Sequence, residues 1–450
     1  MLRSIVWFRR DLSLEDNLAW ADATQNSDEV VPLFVLDERL LAAAGRARQD
    51  ALFGALGALD RDLHACGGAL TVVRGDPAVE VARLARESEA TSVYWNADVT
   101  RYAQARDRAV EQALGELHID VHARWSTLVH PPGAVTTRAG TVPKVFTRFY
   151  ERWTELESPP HACTGAAAVR ADSRDELPQA SGPRPPAETL EAFVDGVDSY
   201  HDTRDDLALD ATSRLSAHLH FGAISPRVVI RAVGRHTKGR RAFVRQLAWR
   251  DWYAHLFWER PDLVDCAMQE VFDAIEWRND PHEIERWKSG STGVPIVDAA
   301  MRHLAASGWM PNRARMIVAS FLVKDLLVDW RIGERHFRHL LADGDVPQNA
   351  GNWQWVAGTG PDAAPYFRVL NPVTQAQRFD PDGDYVRRWV PELAGIPGGA
   401  VHEPWELPPL ELAAGGVVLG DTYPFPAVDH RNARIRALDA YAAARHTRGT

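Results

Sequence analysis

The chain is short of sulfur and of lysine. Its three cysteines, Cys66, Cys163 and Cys266, are far apart and odd in number. That excludes a disulfide framework and any C-x-x-C metal or redox motif. Only four residues are lysine, so arginine supplies nearly all of the 51 basic side chains. No apolar run reaches the roughly 18 residues of a membrane span. The opening Met1-Leu2-Arg3-Ser4 leads into no secretory-type apolar stretch. A cytoplasmic protein with no membrane segment is expected. Enzyme fingerprints are missing too. The first apolar run ends in Arg9-Arg10-Asp11-Leu12 with no G-x-G-x-x-G, and no G-x-x-x-x-G-K-[ST] occurs. G-x-S-x-G and H-E-x-x-H are absent. His218 and His220 lie about 200° apart on a helix, so no metal site is expected there.

What is present is ordinary globular stock with two biases. The 450 residues are 45% hydrophobic and 25% charged. At about 150 residues per domain that allows two or three domains with large cores. Tryptophan numbers 16, and eleven of these lie between Trp249 and Trp405. A helical core uses some of them, but the concentration asks for a reason. The net charge of −10 argues against a surface that binds nucleic acid all over. Within 212–260, however, ten cations (Arg214, Arg227, Arg231, Arg235, Lys238, Arg240, Arg241, Arg245, Arg250, Arg260) face two acids, Asp251 and Glu259, a local excess of +8. Such a patch is the footprint of a polyanion partner; a solvated helix face is the alternative.

Apolar runs at Ile5–Phe8, Val30–Leu36, Ala69–Val73, Ser92–Trp95 and Ile119–His122 read as strands. Helical patterns near Leu18–Thr24, Asp50–Cys66, Ala78–Ser88 and Arg101–Leu117 alternate with them. Continuous apolar strands between helices imply an α/β fold with a doubly wound parallel sheet, whose ligands sit at the carboxyl ends of the strands. Residues 155–187 are rich in Pro, Ser, Gly and Ala and read as a linker. Beyond about 188 the periodicity is helical, at Glu188–Tyr200, Pro226–Gly234, Ala242–Glu259, Val294–Ala306, Asn312–Asp329, Glu334–Ala342 and Ala433–Arg445. The expected layout is a sheet domain over 1–128, a linker over 129–187 and an all-helical domain over 188–450.

Several clusters can carry chemistry. Thr212-Ser213-Arg214-Leu215-Ser216 places hydroxyls and a cation where a loop enters a helix, which suits a diphosphate; plain helix capping is the alternative. On a helix, Gln246, Trp249, Arg250 and Tyr253 share one face, fit for a nucleobase beside a phosphate or for a buried amphipathic stripe. Asn312 is a candidate N-cap and Met316 candidate core filler. Asp343-Gly344-Asp345, Asn349 and Trp353-Gln354-Trp355 form a polar, aromatic-rich segment of the kind that lines sites.

Ordered motifs then extend over nearly the whole chain. They are Trp7-Phe8-Arg9-Arg10-Asp11-Leu12 with Asp16-Asn17, Thr212 to Ser216, and Trp249-Arg250-Asp251-Trp252-Tyr253. They continue with Gly293-Val294-Pro295-Ile296-Val297-Asp298-Ala299-Ala300-Met301-Arg302, Gly308-Trp309-Met310, Ser320 to Leu327, and Gly351-Asn352-Trp353-Gln354-Trp355. On these residues the chain resembles the DNA photolyases of the photolyase/cryptochrome family, in particular the class I enzymes for cyclobutane pyrimidine dimers.

The resemblance implies FAD, bent into a U inside the helical domain, and repair of pyrimidine dimers in DNA by electron transfer from the excited reduced flavin. Carried over by position, Tyr200, Thr212, Ser213, Arg214, Leu215, Ser216, Asn312, Arg315, Asp343, Gly344 and Asp345 contact FAD. Asn349 faces flavin N5, where an amide suits the reduced anionic ring. Trp353, Trp330 and Trp277 match the electron relay; core packing is the other use of a tryptophan. The flipped dimer lies against Gln246, Trp249, Tyr253, Met316 and Trp355 with Asn312 beside it, and Arg204, Arg250, Arg313 and Arg315 meet the DNA backbone or brace the pocket. Arg48 and Asp98 resemble antenna contacts of the 8-hydroxy-5-deazaflavin branch, with a surface ion pair as the alternative. Tyr102-Ala103-Gln104 replaces the Asn-Glu pair of the folate branch, so folate is not the antenna expected. Two residues depart from the pattern. Gln246 stands where dimer-repairing members carry Glu, and Pro311 where His is usual. The (6-4) enzymes use His at the positions of Asn312 and Met316. A monomer acting on damaged DNA is expected, with a cryptochrome-type photoreceptor and a (6-4) photolyase as the alternatives.

Overall fold

The computed structural model describes residues 1–170, 177–178, 180, 182–362, 365 and 367–447. Residues 171–176, 179 and 181 of the expected linker, and 363, 364, 366 and 448–450 of the expected helical domain, lie outside the described residues. Two compact units emerge. One comprises Met1–His201, Ser213–Asp262 and Ala342–Pro347; the other comprises Asp202–Thr212, Leu263–Leu341 and Gln348–Thr450.

The first unit is built on a parallel sheet of β1 (Arg3–Phe8), β2 (Glu29–Leu36), β3 (Thr71–Arg74), β4 (Ser92–Asn96) and β5 (Asp120–Arg124), in the order β3-β2-β1-β4-β5. A two-residue β6 (Ala168–Val169) adds to β2. The continuous apolar runs are explained by burial on both faces. Val6 and Phe8 pack with Trp20, Leu56, Leu59 and Leu63, whereas Ile5 and Trp7 pack with Val81, Leu84, Val110 and Leu114 on the other side. Local chemistry starts the intervening helices: Asn17, Asp76 and Thr100 each accept from a backbone N–H of the first turn. The order reverses between β1 and β4, which puts the ligand crevice of this sheet at their carboxyl ends.

Part of the stretch read as linker is ordered structure. Helix Phe146–Glu155 buries Phe146, Phe149 and Trp153, β6 joins the sheet, and helix Pro186–Gly196 follows. Helix Phe146–Glu155 contains no proline or glycine and was not expected, whereas helix Pro186–Gly196 overlaps the helical pattern at Glu188–Tyr200. The unit also holds helices Ser216–Phe221, Pro226–Val233 and Lys238–Glu259.

The second unit is helical, as the periodicity predicts. Pro295 opens helix Pro295–Ser307, and Gly308, with φ of +65°, ends it in the left-handed conformation that suits glycine. The single helix expected over Asn312–Asp329 is interrupted. An α-helix over Asn312–Ser320 passes into a π turn over Phe321–Asp325, and Leu327 takes φ of +53°. Here Lys324 and Asp325 are buried and must find partners. Lys324 Nζ donates to the Ala357 carbonyl at 2.8 Å and sits 3.6 Å over the Tyr441 ring; Asp325 pairs with His430. No helix among the described residues is long and apolar enough to cross a membrane.

Candidate functional site

In the sheet unit, the crevice at the ends of β1 and β4 holds a buried charge cluster. Arg10, two residues past β1, donates to the His220 carbonyl at 2.9 Å, to Asp98 at 3.2 Å and to Asp345. Asp98 lies two residues past β4. Arg48 donates to the Gly344 carbonyl at 3.1 Å, and the Asp345 N–H donates to the Asp343 carbonyl. Burial alone would raise the Asp345 carboxyl. The Arg10 charge and the hydrogen bond with His220 reverse this and hold it far below the ordinary range. Burial, with the Arg10 charge adding to it, pushes His220 down to about 4. The structure thus joins Arg48 to the 343–345 loop directly and Asp98 through Arg10, with His220 beside Asp345. From sequence His220 was weighed only as a metal ligand, and Arg10 stood within a quoted motif, but the partners of Arg10 are 88 and 335 residues away.

Helix Ser216–Phe221 begins without a side-chain cap, Leu215 being its N-cap residue. The capping reading of Thr212 to Ser216 is therefore corrected: Ser213 Oγ accepts from the Leu215 N–H at 3.3 Å, and Arg214 is left-handed at φ +54°. Tyr200 is buried against Phe193 and Phe243.

Along helix Lys238–Glu259 the expected common face divides. Trp249 is half-buried and stacks on Phe146, centroids 3.7 Å apart and planes 15° apart. Tyr253 is only 1% exposed and lies under Trp249 at 5.7 Å. Arg250 turns inward to donate to the carbonyls of Thr127 and Leu219. Gln246 is half-buried and donates back to the Ala242 carbonyl at 3.2 Å. Helix Phe146–Glu155 packs along this side, which explains why the stripe is mostly interior.

In the helical unit, Asn312 is the first residue of its helix and not the cap, since Pro311 occupies the N-cap position. The Asn312 amide donates to Met316 Sδ at 3.6 Å, one turn on, so the two share a face. Asn312 is exposed and Met316 half-buried, in contrast to the capping and core-filling alternatives. Arg313 donates to Asp205 at 3.0 Å and lies over Phe379, and Arg315 donates to the Met310 carbonyl at 2.8 Å. Arg204 and Trp355 are half-buried. Thr212 Oγ1 is buried with no hydrogen-bond partner among the described residues.

Helix Val346–Ala357 carries Asn349 and Trp353. Asn349 Nδ2 donates to the Glu334 carbonyl at 2.8 Å and to Glu334 Oε1 at 3.0 Å. That fixes the amide and leaves its oxygen as the acceptor. Glu334 is 2% exposed; burial raises its carboxyl, which Arg338 and the Asn349 hydrogen bond partly offset. Trp353 is 3% exposed and Trp330 1%, whereas Trp277 is half-buried. Gly333 lets the Trp353 ring approach its helix, for a Cβ there would lie 2.2 Å from Trp353 Cη2. Trp277 meets Tyr441 edge-on at 6.1 Å. Sequence reading missed Glu334 and Gly333, because their roles exist only across helices.

A family model described as DNA photolyase matches residues 4–166, and one described as the FAD binding domain of DNA photolyase matches residues 243–443. The deoxyribodipyrimidine photo-lyase of Streptomyces griseus is 45% identical over 456 residues, covering 96% of this chain and 98% of that protein. The chain belongs to the DNA photolyase family. Among solved structures, a class III photolyase from Agrobacterium tumefaciens matches this photolyase chain with a TM-score of 0.92 at 38% identity, over 99% of this chain and 98% of that one. A cryptochrome from Synechocystis matches with a TM-score of 0.89 at 27% identity, over 98% and 99%. The two-part fold, a parallel sheet followed by helices, is that of the family.

Proposed function

We propose that the protein repairs cyclobutane pyrimidine dimers in DNA under blue or near-ultraviolet light, as a carbon–carbon lyase. The observation that carries this is the near-full-length identity to a deoxyribodipyrimidine photo-lyase. The FAD-binding family match names the cofactor. Two features fit a bound dinucleotide: the orphaned buried hydroxyl of Thr212 and the uncapped N–H groups opening at Ser216. Thr212, Ser213, Arg214, Leu215, Ser216, Tyr200, Asn312, Arg315, Asp343, Gly344 and Asp345 are proposed to hold FAD. Reduced FAD, when bound, would supply on excitation the electron that opens the cyclobutane ring and would take it back once the ring has opened, so that no net redox change occurs.

The chain's own residues then orient and protect. Asn349, held by Glu334, offers its amide oxygen toward the flavin edge. Trp353, Trp330 and Trp277 are proposed as the relay that returns oxidised flavin to its reduced form, running from buried rings to a half-buried one. Trp249, Trp355, Tyr253, Met316, Asn312 and Gln246 are proposed to receive the dimer, stacking and hydrogen-bonding to bases that pair poorly in the duplex. Arg204, Arg250, Arg313 and Arg315 brace that pocket or meet phosphates. Arg48 and Asp98 are proposed to contact an 8-hydroxy-5-deazaflavin antenna rather than folate, and the class I type and a monomeric, cytoplasmic enzyme are part of the same proposal. Residues 1–128 then serve the antenna and 188–450 the flavin and DNA, with 129–187 between them. An absorption spectrum of the purified protein reads flavin and antenna together.

The deciding experiment is dimer loss from ultraviolet-treated DNA with the flavin fully reduced, in light and in darkness. Light-dependent loss is expected; none in light would end the proposal. Gln246 supports a second reading, a cryptochrome-type receptor, for which tight dimer binding without turnover would speak. Repair of purified (6-4) lesions would point to the third.

A further inference from the structure

The ten cations of 212–260 do not form one patch; the fold sorts them. Arg227 is buried on Asp16 at 2.9 Å, and Arg231 also reaches Asp16, at 3.5 Å. Arg240 pairs with Asp198 at 2.7 Å and Arg260 with Asp262. Arg250 is held on carbonyls, and Arg214 lies in the cofactor loop. Arg235, Lys238, Arg241 and Arg245 remain, all exposed and with no acidic partner among the described residues.

Three of these fall on one helix face with Trp249. At 100° per residue, Lys238, Arg241, Arg245 and Trp249 lie within an arc of about 80°, and each step of four residues advances about 6 Å. No acid occurs from 238 to 250. Lys238 and Arg241 also lie in the first turn of the helix, which contains no acid. Cations are disfavoured at that end by the helix dipole. Helix stability therefore does not account for this placement. Arg245 lies 5.2 Å over both Phe146 and Tyr150, and Phe146 stacks on Trp249. The guanidinium is thus seated on the same aromatic floor as the tryptophan proposed to face the lesion, with its charge uncompensated.

We propose that Lys238, Arg241 and Arg245 form a phosphate track that leads the backbone of the damaged DNA strand along this helix to Trp249. The proposal rests on the reading of DNA as substrate and adds a surface to it. Phosphate contacts carry register and not sequence, so the track strengthens binding of damaged and undamaged DNA alike.

The test is dark binding of the flavin-loaded protein to a dimer-containing duplex and to its undamaged twin over a salt series. Each lost phosphate contact lowers the slope of log affinity against log salt by about 0.9. The triple variant Lys238→Gln, Arg241→Gln, Arg245→Met is therefore expected to flatten the slope by roughly two to three, weakening both duplexes by the same factor. Methionine keeps the apolar cover over Phe146 and Tyr150, and unchanged flavin absorption and melting certify the fold. The double variant Arg241→Lys, Arg245→Lys should keep the wild-type slope, because charge and not shape is at work. An unchanged slope in the triple variant, or a loss confined to the damaged duplex, overturns the track. Absence of light-driven repair in wild-type protein with normal salt slopes would instead remove the repair function and leave the track standing.

Discussion

Glu334 determines which way the Asn349 amide faces, because both Asn349 N–H groups are committed to it. Asn349→Asp would set a second carboxyl against a buried one already raised by burial. Two close carboxyls share a proton, so the pair titrates above the ordinary carboxylate range. A raised folded-state value contributes stability at low pH that is lost as pH rises through it. The Asn349→Asp melting temperature should therefore fall further below wild type at pH 8 than at pH 5, and an equal deficit at both would contradict the contact. Trp277 belongs to the same scale. As the half-buried member of the three relay candidates, it is the ring proposed to meet external reductant. Trp277→Phe should slow photoreduction of oxidised flavin while protein reduced chemically beforehand still repairs DNA; parallel loss of both activities would remove Trp277 from the relay.

The pairing of helix Phe146–Glu155 with helix Lys238–Glu259 is the element on which the Trp249 ring depends. Phe146 is 1% exposed, so Phe146→Ala should cost about 3–5 kcal/mol in denaturant unfolding and also weaken dimer binding, since Trp249 loses its stacking partner. Loss of stability without loss of binding would separate the two helices' roles. Elements of this kind mark the limit of what the sequence makes legible. The strands were legible because burial on both faces leaves uninterrupted apolar runs: Val30–Leu36 against the observed Glu29–Leu36, Ser92–Trp95 against Ser92–Asn96. The helices of the second half were legible by period, Val294–Ala306 against Pro295–Ser307. Helix Phe146–Glu155 was not, because its ten residues lie in a stretch read as linker. The π turn after Ser320 was not, because Ile317 to Val328 are buried throughout, which leaves no hydrophobic period for the extra residue to break. Asn312 and Met316 were found as a pair because helical spacing alone puts them together. Arg10 with Asp345 could not be found that way, because only the tertiary fold brings such distant positions into contact.

For the whole molecule, that buried cluster predicts how acid acts. An unfolded histidine takes up a proton near pH 6.5, whereas folded His220 does so only at about 4. Its contribution to stability is present above pH 6.5 and is lost as pH falls through 4. The loss amounts to on the order of 3 kcal/mol at the acid end. Asp345, held low by Arg10 against the effect of burial, adds a further loss once pH drops below the ordinary carboxylate value. Urea midpoints of wild type and His220→Asn between pH 7 and 4 check this, and identical slopes against pH would remove His220 from the account. The same cluster also bears on synthesis. Arg10 leaves the ribosome early with Asp98 close behind, but Asp345 is made 335 residues after Arg10, roughly 20–70 s later at ordinary translation rates. A nascent chain must therefore carry its parallel sheet with a half-neutralised arginine in the crevice until the last quarter of the polypeptide arrives, so this unit is completed near the end of translation and not, as its position in the sequence would imply, at the beginning.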